Sequence, residues 1–244
     1  MSSNQDQRQK FVQSLFDRIA SRYDLLNRII SLRLDAHWRK KAVAVALTGG
    51  RRTVLDLGTG TGDLAMTAAR AVGKDGTIVG LDFSHEMLRL AQAKRGMDAH
   101  GNKILYILGT ALSPPFKDET FDVVMTAFVL RNITNLPLFF SQAYRLLKPG
   151  GRLVSLDMFP PSCIPFSLLY ALYFYRLVPW IGARLAHDRD AYQYLSDSVK
   201  NFSPPRTIAE MIGQTGFEAV GVHRFLMGAV CLHVGEKPVK LREP

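Results

Sequence analysis

Cysteine is scarce in this chain. Of 244 residues only Cys163 and Cys231 carry a thiol, and neither stands in a Cys-x-x-Cys or Cys/His spacing. A disulfide framework and a cysteine-held zinc site are therefore unsupported, and a reducing cytoplasm is the expected compartment. Long apolar runs are also lacking. The longest uncharged stretch, Met158 to Tyr175, contains Pro160, Pro161 and Pro165. Its helix-compatible part, Phe166 to Tyr175, falls well short of the roughly 20 residues that span a bilayer. The first ten residues are polar, so a secretory signal is not expected. There is no internal repeat and no low-complexity tract. A charged fraction of 21% beside an apolar fraction of 47% argues against disordered, collagenous and coiled-coil chains. The length suits one α/β domain with an added lid.

Charge of one sign is in excess, at +10 overall, and it is unevenly spread. Residues 1–52 hold 11 of the 31 basic side chains but 4 of the 21 acidic ones. The excess thus sits ahead of the first strand-like run. An anionic partner surface, membrane headgroups or nucleic acid, is one reading; a solvated helix face is the other.

Residues 9–47 read as helices, with Phe11, Val12, Leu15, Phe16 and Ile19 at helical spacing. From residue 53 the pattern alternates between strand and helix. Strands are expected at Thr53–Leu57, Thr77–Phe83, Ile104–Leu108, Phe121–Phe128 and Arg152–Asp157. Helices are expected at about 63–71, 84–94 and 137–147, the last ended by Lys148-Pro149-Gly150-Gly151. An aromatic helix near 165–177 and another near 205–214 follow. The last two strand-like runs, Phe217–Leu226 and Ala229–Val234, are separated only by Met227-Gly228. That gap is too short for a parallel crossover, so the pair must be an antiparallel hairpin. The expected architecture is a doubly wound, mostly parallel sheet with one reversed strand, the class I fold of S-adenosylmethionine-dependent methyltransferases. Residues 1–50 are expected to form a helical lid and basic arm, and 51–244 the main domain, with the aromatic helical insertion at about 160–215.

Between the first strand and its helix lies Asp56-Leu57-Gly58-Thr59-Gly60-Thr61-Gly62-Asp63. Glycines let the turn tighten and let a ligand approach the backbone. A dinucleotide site would prefer Gly-x-Gly-x-x-Gly and a pyrophosphate. Here acids bracket the loop, which repels pyrophosphate and suits the ammonium and sulfonium of S-adenosylmethionine. Asp63 can equally be a first-turn helix acid; Asp56, inside an apolar strand, needs a partner. Asp82 ends the second strand and can accept both ribose hydroxyls. Thr110 and Ala111 stand where an adenine would meet the sheet edge, and Ala127, in the fourth strand, is a further candidate for donor binding. No metal is expected.

With these residues in place, the chain resembles the ubiquinone/menaquinone-biosynthesis C-methyltransferase family from about Phe16 to Glu236. The resemblance is carried by Phe16 to Asn27 continuing through Ser31 to Trp38, by the glycine loop, by Phe128-Val129-Leu130-Arg131-Asn132-Ile133-Thr134, and by Tyr144 to Leu153 followed by Asp157. The segment Asp190 to Leu195 is similar too. The chain departs from the family pattern at Leu26, Arg33, Asp35, Thr110, Leu112, Val129 and Asp157.

The resemblance implies methyl transfer from S-adenosylmethionine to a ring carbon of an isoprenoid hydroquinone, in respiratory quinone biosynthesis. Such chemistry needs the ring held in line with the donor, its phenolate favoured, and water excluded. The resemblance offers Arg131, Asn132, Tyr23 and Asp24 as catalytic candidates, with Asn27 and His37 behind them. A salt bridge to Asp24 or Asp157 is the plainer role for Arg131, a packed helix position for His37. The stripe of Phe166, Leu169, Tyr170, Tyr173, Phe174 and Leu177 reads as a tail channel or interfacial helix, with Trp180 at headgroup depth, or more plainly as a core helix or the face of a homodimer. Peripheral contact of a cytoplasmic protein with anionic lipid through the basic arm would follow. A nucleic-acid substrate is not expected: base-methylating enzymes of this fold usually carry an Asn/Asp-Pro-Pro-aromatic motif after the fourth strand. Ser113-Pro114-Pro115-Phe116 precedes that strand and reads as a turn. The remaining alternatives are a nucleic-acid or other small-molecule methyltransferase and a non-catalytic quinone- or lipid-binding protein on the same fold.

Overall fold

A computed structural model describes residues 2–161, 164–178 and 189–239. Cys163 and Trp180 lie outside the described residues, as do the side chains of Leu26, Phe166, Leu169 and Asp190 to Tyr192. Seven strands form one sheet: β1 (Thr53–Leu57), β2 (Thr77–Asp82), β3 (Ile104–Leu108), β4 (Phe121–Ala127), β5 (Leu147–Met158), β6 (Glu218–Phe225) and β7 (Val230–Glu236). Their spatial order is β3-β2-β1-β4-β5-β7-β6. The first five run parallel, and β7 inserts antiparallel between β5 and β6. The two-residue gap at Met227-Gly228 does force a reversal, and both Leu226 and Met227 take positive φ to make it.

The chain winds both ways from β1, so the carboxyl ends of β1 and β4 part and leave a crevice between them. Alternate residues of the strands serve two cores. On one face α2 (Leu34–Ala46) and α3 (Asp63–Ala71) bury Trp38, Ala42, Leu64 and Ala68 against Val54, Ile78, Val123 and Val154. On the other, α5 (Leu136–Leu146) and α8 (Pro205–Gln214) bury Phe139, Phe140, Ile208 and Ile212 against Leu55, Leu57, Val124 and Leu153. α4 (His85–Gly96) packs at the β2–β3 edge, capped by the Ser84 hydroxyl on the Met87 N–H at 3.1 Å.

Three features differ from the sequence reading. Lys148-Pro149-Gly150-Gly151 is part of β5 and not a break before it; positive φ at Gly150 absorbs the irregular register against β4. A helix not foreseen, α7 (Arg189–Lys200), packs on α1 (Ser2–Ile30). And the aromatic stripe on α6 (Ile164–Leu172) and the wider π-turn after it is a core: Tyr170, Phe174 and Val178 bury against Leu15, Ile19, Ile30 and Val199. Tyr170 and Phe174 of the stripe thus take the plainer core role, while Leu177 is exposed. Among the described residues no helix is long and apolar enough to cross a membrane.

Candidate active site

The glycine loop closes the crevice from below. The Gly58 and Thr59 N–H groups donate to the Leu81 carbonyl at 2.8 and 3.0 Å, pinning the loop to β2. Gly58 has φ +75, and a Cβ there would stand 2.6 Å from Val129. Gly62 has φ +83 at the start of α3, and its Cβ would meet the Tyr106 hydroxyl at 2.2 Å. Neither position admits a side chain.

The loop lines a cleft of about 1020 Å³, the open space at its mouth included. Of the residues expected to hold a donor, Asp56, Gly58, Gly60, Thr61, Asp82, Thr110, Ala111 and Ala127 line it. Gly62 shapes the turn behind them. Of the expected catalytic residues, Tyr23 and Asn132 line it as well. Asp24 bonds to the Thr61 hydroxyl at 2.5 Å and pairs with Lys94, which also reaches Asp63 at 2.7 Å. Arg131 does not face this cleft. It pairs with Asp157 at 2.6 Å, and both are buried beside a second cavity lined by Tyr194, Asp197 and Phe202. His37 is exposed on α2. Asn27 borders a small pocket with Tyr23, Asn132 and Tyr194, and the Tyr194 hydroxyl donates to Asn132 Oδ1 at 3.3 Å.

α1 lies across the mouth. Gln13 donates to the Phe83 carbonyl at 2.9 Å, Asp17 accepts from the Ser84 hydroxyl, and Asp24 holds Thr61 and Lys94. Val12, Phe16 and Tyr23 thereby become the wall of the cleft. The helical lid and Tyr23 within it were expected from the sequence; Val12 and Phe16 of this wall were missed, and so was Arg39 of α2, which is buried and also lines the cleft. The signal for Arg39 was present: residues 35, 38, 39, 42, 43 and 46 form the buried stripe of α2, and an opposite-charge pair four apart lies within it.

The acids are held for a cation. Burial pushes Asp56 up to about 7, opposed by the Thr59 hydroxyl at 2.8 Å and by the charge of Arg39, and assisted by Asp82. Its Oδ1 is buried and makes no hydrogen bond of ordinary geometry among the described residues, the Ala65 N–H exerting only a lowering pull on the carboxyl. Burial likewise lifts Asp82 to about 6, against hydrogen bonds from Ser84 and Gly60. Burial would raise Asp63 too, but Lys94 beside it prevails and lowers it. A buried carboxylate oxygen with no hydrogen bond of ordinary geometry, at the base of a loop left open at Gly58, Gly60 and Gly62, fits a donor whose reacting end is cationic. A diphosphate would add negative charge to three acids. Tyr23 has its phenol raised by burial, against the pull of Arg131, so it stays protonated and acts as a hydrogen-bond donor. Among the described residues no group of three or more His, Cys, Asp or Glu side chains is placed to hold a metal ion.

The family model described as the ubiE/COQ5 methyltransferase family matches residues 1–237. The chain is 40% identical over 225 residues to the demethylmenaquinone methyltransferase of Thermus thermophilus, covering 92% of this chain and 100% of that one. It is 39% identical over 229 residues to the demethylmenaquinone methyltransferase of Lactiplantibacillus plantarum, covering 94% and 97%. With the ubiquinone/menaquinone biosynthesis C-methyltransferase UbiE of Escherichia coli it shares 35% over 233 residues, covering 95% and 92%. In fold it is similar to an O-methyltransferase family protein from Burkholderia thailandensis, with TM-score 0.67 and 19% identity over 90% of this chain and 60% of that one. It is also similar to a SAM-dependent methyltransferase from Aquifex aeolicus, with TM-score 0.57 and 19% identity over 84% and 91%.

Proposed function

This chain belongs to the ubiE/COQ5 methyltransferase family, and from that premise we propose that its cleft methylates a ring carbon of an isoprenoid hydroquinone with S-adenosylmethionine as donor. The two relatives near 40% identity are named for demethylmenaquinone, which favours a naphthoquinol ring over a benzoquinol one. The observation that carries the reading is the buried Asp56 Oδ1, without a hydrogen bond of ordinary geometry, beneath the glycine-opened loop.

When bound, the donor supplies a methyl group on a cationic sulfur. The chain's own residues do the rest. Asp82 accepts the ribose hydroxyls, Thr110 and Ala111 border the adenine, and Asp56 faces the ammonium. Asn132, in the helical turn that follows β4 and steadied by Tyr194, presents its amide to a ring hydroxyl from one side. Tyr23, protonated, donates from the other and stabilises the phenolate that makes the ring carbon nucleophilic; the hydroxyl proton passes to water before α1 closes, and the methyl group then displaces the proton of the ring carbon. α1 excludes water by closing Val12 and Phe16 over both. Arg131 acts from behind, where its charge favours anions at Tyr23 and the ring. The small pocket of Leu15, Phe16, Ile19, Tyr194 and Leu195, opening from Tyr23 and Asn132, is the proposed start of the tail path.

An isoprenoid substrate resides in lipid, so we also propose a peripheral contact with an anionic bilayer. Leu25, Leu32 and Leu34 are exposed at the junction of α1 and α2, interleaved with exposed Arg28 and Arg33.

The test is quinone analysis of cells lacking the protein. A pool one methyl short, restored by the wild-type gene, is expected; an unchanged pool overturns the assignment.

A further inference from the structure

Arg39 is the one basic side chain among the described residues that line the donor cleft. The other charged groups there are the acids Asp56, Asp63 and Asp82. Those acids answer the positive charges of the donor but not its α-carboxylate, which enters as a fourth anion and is costly without a cation.

Arg39 is built for that task. Its Nη1 donates to Asp35, and Asp35 is fixed in turn by the Ser31 hydroxyl at 2.7 Å. Asp35 stands at one of the departures from the family pattern, so in this chain the guanidinium is aimed from behind by a carboxylate. The Arg39 guanidinium carbon lies over the Phe128 ring, 5.2 Å from its centroid. With Nη1 taken, Nε and Nη2 have no partner among the described residues. That edge of the fork matches a carboxylate held by two hydrogen bonds. The charge of Arg39 is also felt at Asp56, Asp63 and Tyr23, the residues that line the cleft around it.

We propose that Arg39 anchors the α-carboxylate of the donor's methionine moiety, opposite Asp56 on its ammonium, so that the two residues form an amino-acid recognition pair. The proposal rests on the reading of this cleft as the donor site.

The test is calorimetric titration with S-adenosylmethionine and with decarboxylated S-adenosylmethionine, ligands that differ by the carboxylate alone. Wild type is compared with Arg39→Lys and with the double variant Asp35→Asn/Arg39→Gln, which keeps the shape of the pair and leaves no buried charge alone. Wild type is expected to prefer the intact donor. The double variant loses about 10- to 100-fold of affinity for it and holds the decarboxylated ligand as tightly as wild type, which also shows that the cleft is still folded. Arg39→Lys retains part of the preference. A wild-type preference surviving in the double variant, or equal loss of both ligands, overturns the role of Arg39 alone. Failure of wild type to bind either ligand overturns the donor-site reading, and this inference with it.

Discussion

Arg131 Nη1 lies 2.6 Å from Asp157 Oδ1, and among the described residues neither Arg131 Nε nor Asp157 Oδ2 has a hydrogen-bond partner. Both side chains are almost wholly buried, so one contact holds two desolvated charges together. Asp157→Asn leaves the guanidinium uncompensated and is expected to cost about 3–5 kcal/mol. Urea denaturation measures it; a change under about 1 kcal/mol contradicts a fixed pair.

Asp56 gives the ligand-free protein a pH dependence of definite sign. Its carboxyl goes from an ordinary 3.8 to about 7 on folding, so between those values the folded chain binds the extra proton. Stability therefore falls as pH rises through that window, and Asp82, raised to about 6, adds to the fall. Asp56→Asn removes its share. The advantage of the variant should grow from about pH 4 and level off above about pH 7.5, at roughly 2–4 kcal/mol. Thermal melts across pH check this, and a flat difference refutes it.

Donor binding should reverse that protonation. A cation beside Asp56 favours its ionised form, so binding near pH 6.5 is expected to release protons. Titrations in two buffers of unlike ionisation enthalpy would then give different apparent heats, whereas equal heats would mean that Asp56 does not face the donor's charge.

Asp24 joins α1 to Thr61 and Lys94. Asp24→Ala is expected to speed donor dissociation about tenfold with the fold intact. Stopped-flow displacement reads the rate, and an unchanged rate would mean α1 does not gate the cleft.

Gly58→Ala meets two obstacles, φ +75 and Val129 at 2.6 Å. Adding Val129→Ala should relieve the collision and leave the backbone cost of about 1–2 kcal/mol. Full recovery in the double variant would show that sterics alone require the glycine.

The strands that build the crevice were legible because a central parallel strand is apolar on both faces, as Val123, Val124 and Met125 are. Asp56 was legible for the converse reason, a charge where that rule forbids one. The direction of Arg131 was not legible. It depends on the register of β4 against β5, in which Ala127 pairs with Leu156 and Asp157 follows one step on. No local pattern encodes that register. α7 was hidden similarly: Leu195, Ser196 and Val199 make a narrow face that becomes meaningful only against α1 and Phe174. Tyr170 and Phe174 took the core role that the stripe equally allowed, because a stripe reports that something covers it, and for these two rings the cover is the chain's own first helix.

One helix, α1, carries both the contacts that seat it on the donor side, through Asp17 and Asp24, and the wall on the acceptor side, through Phe16 and Tyr23. The two reactants therefore share a single door. In the proposed reading, α1 cannot move aside for one reactant without uncovering the place of the other.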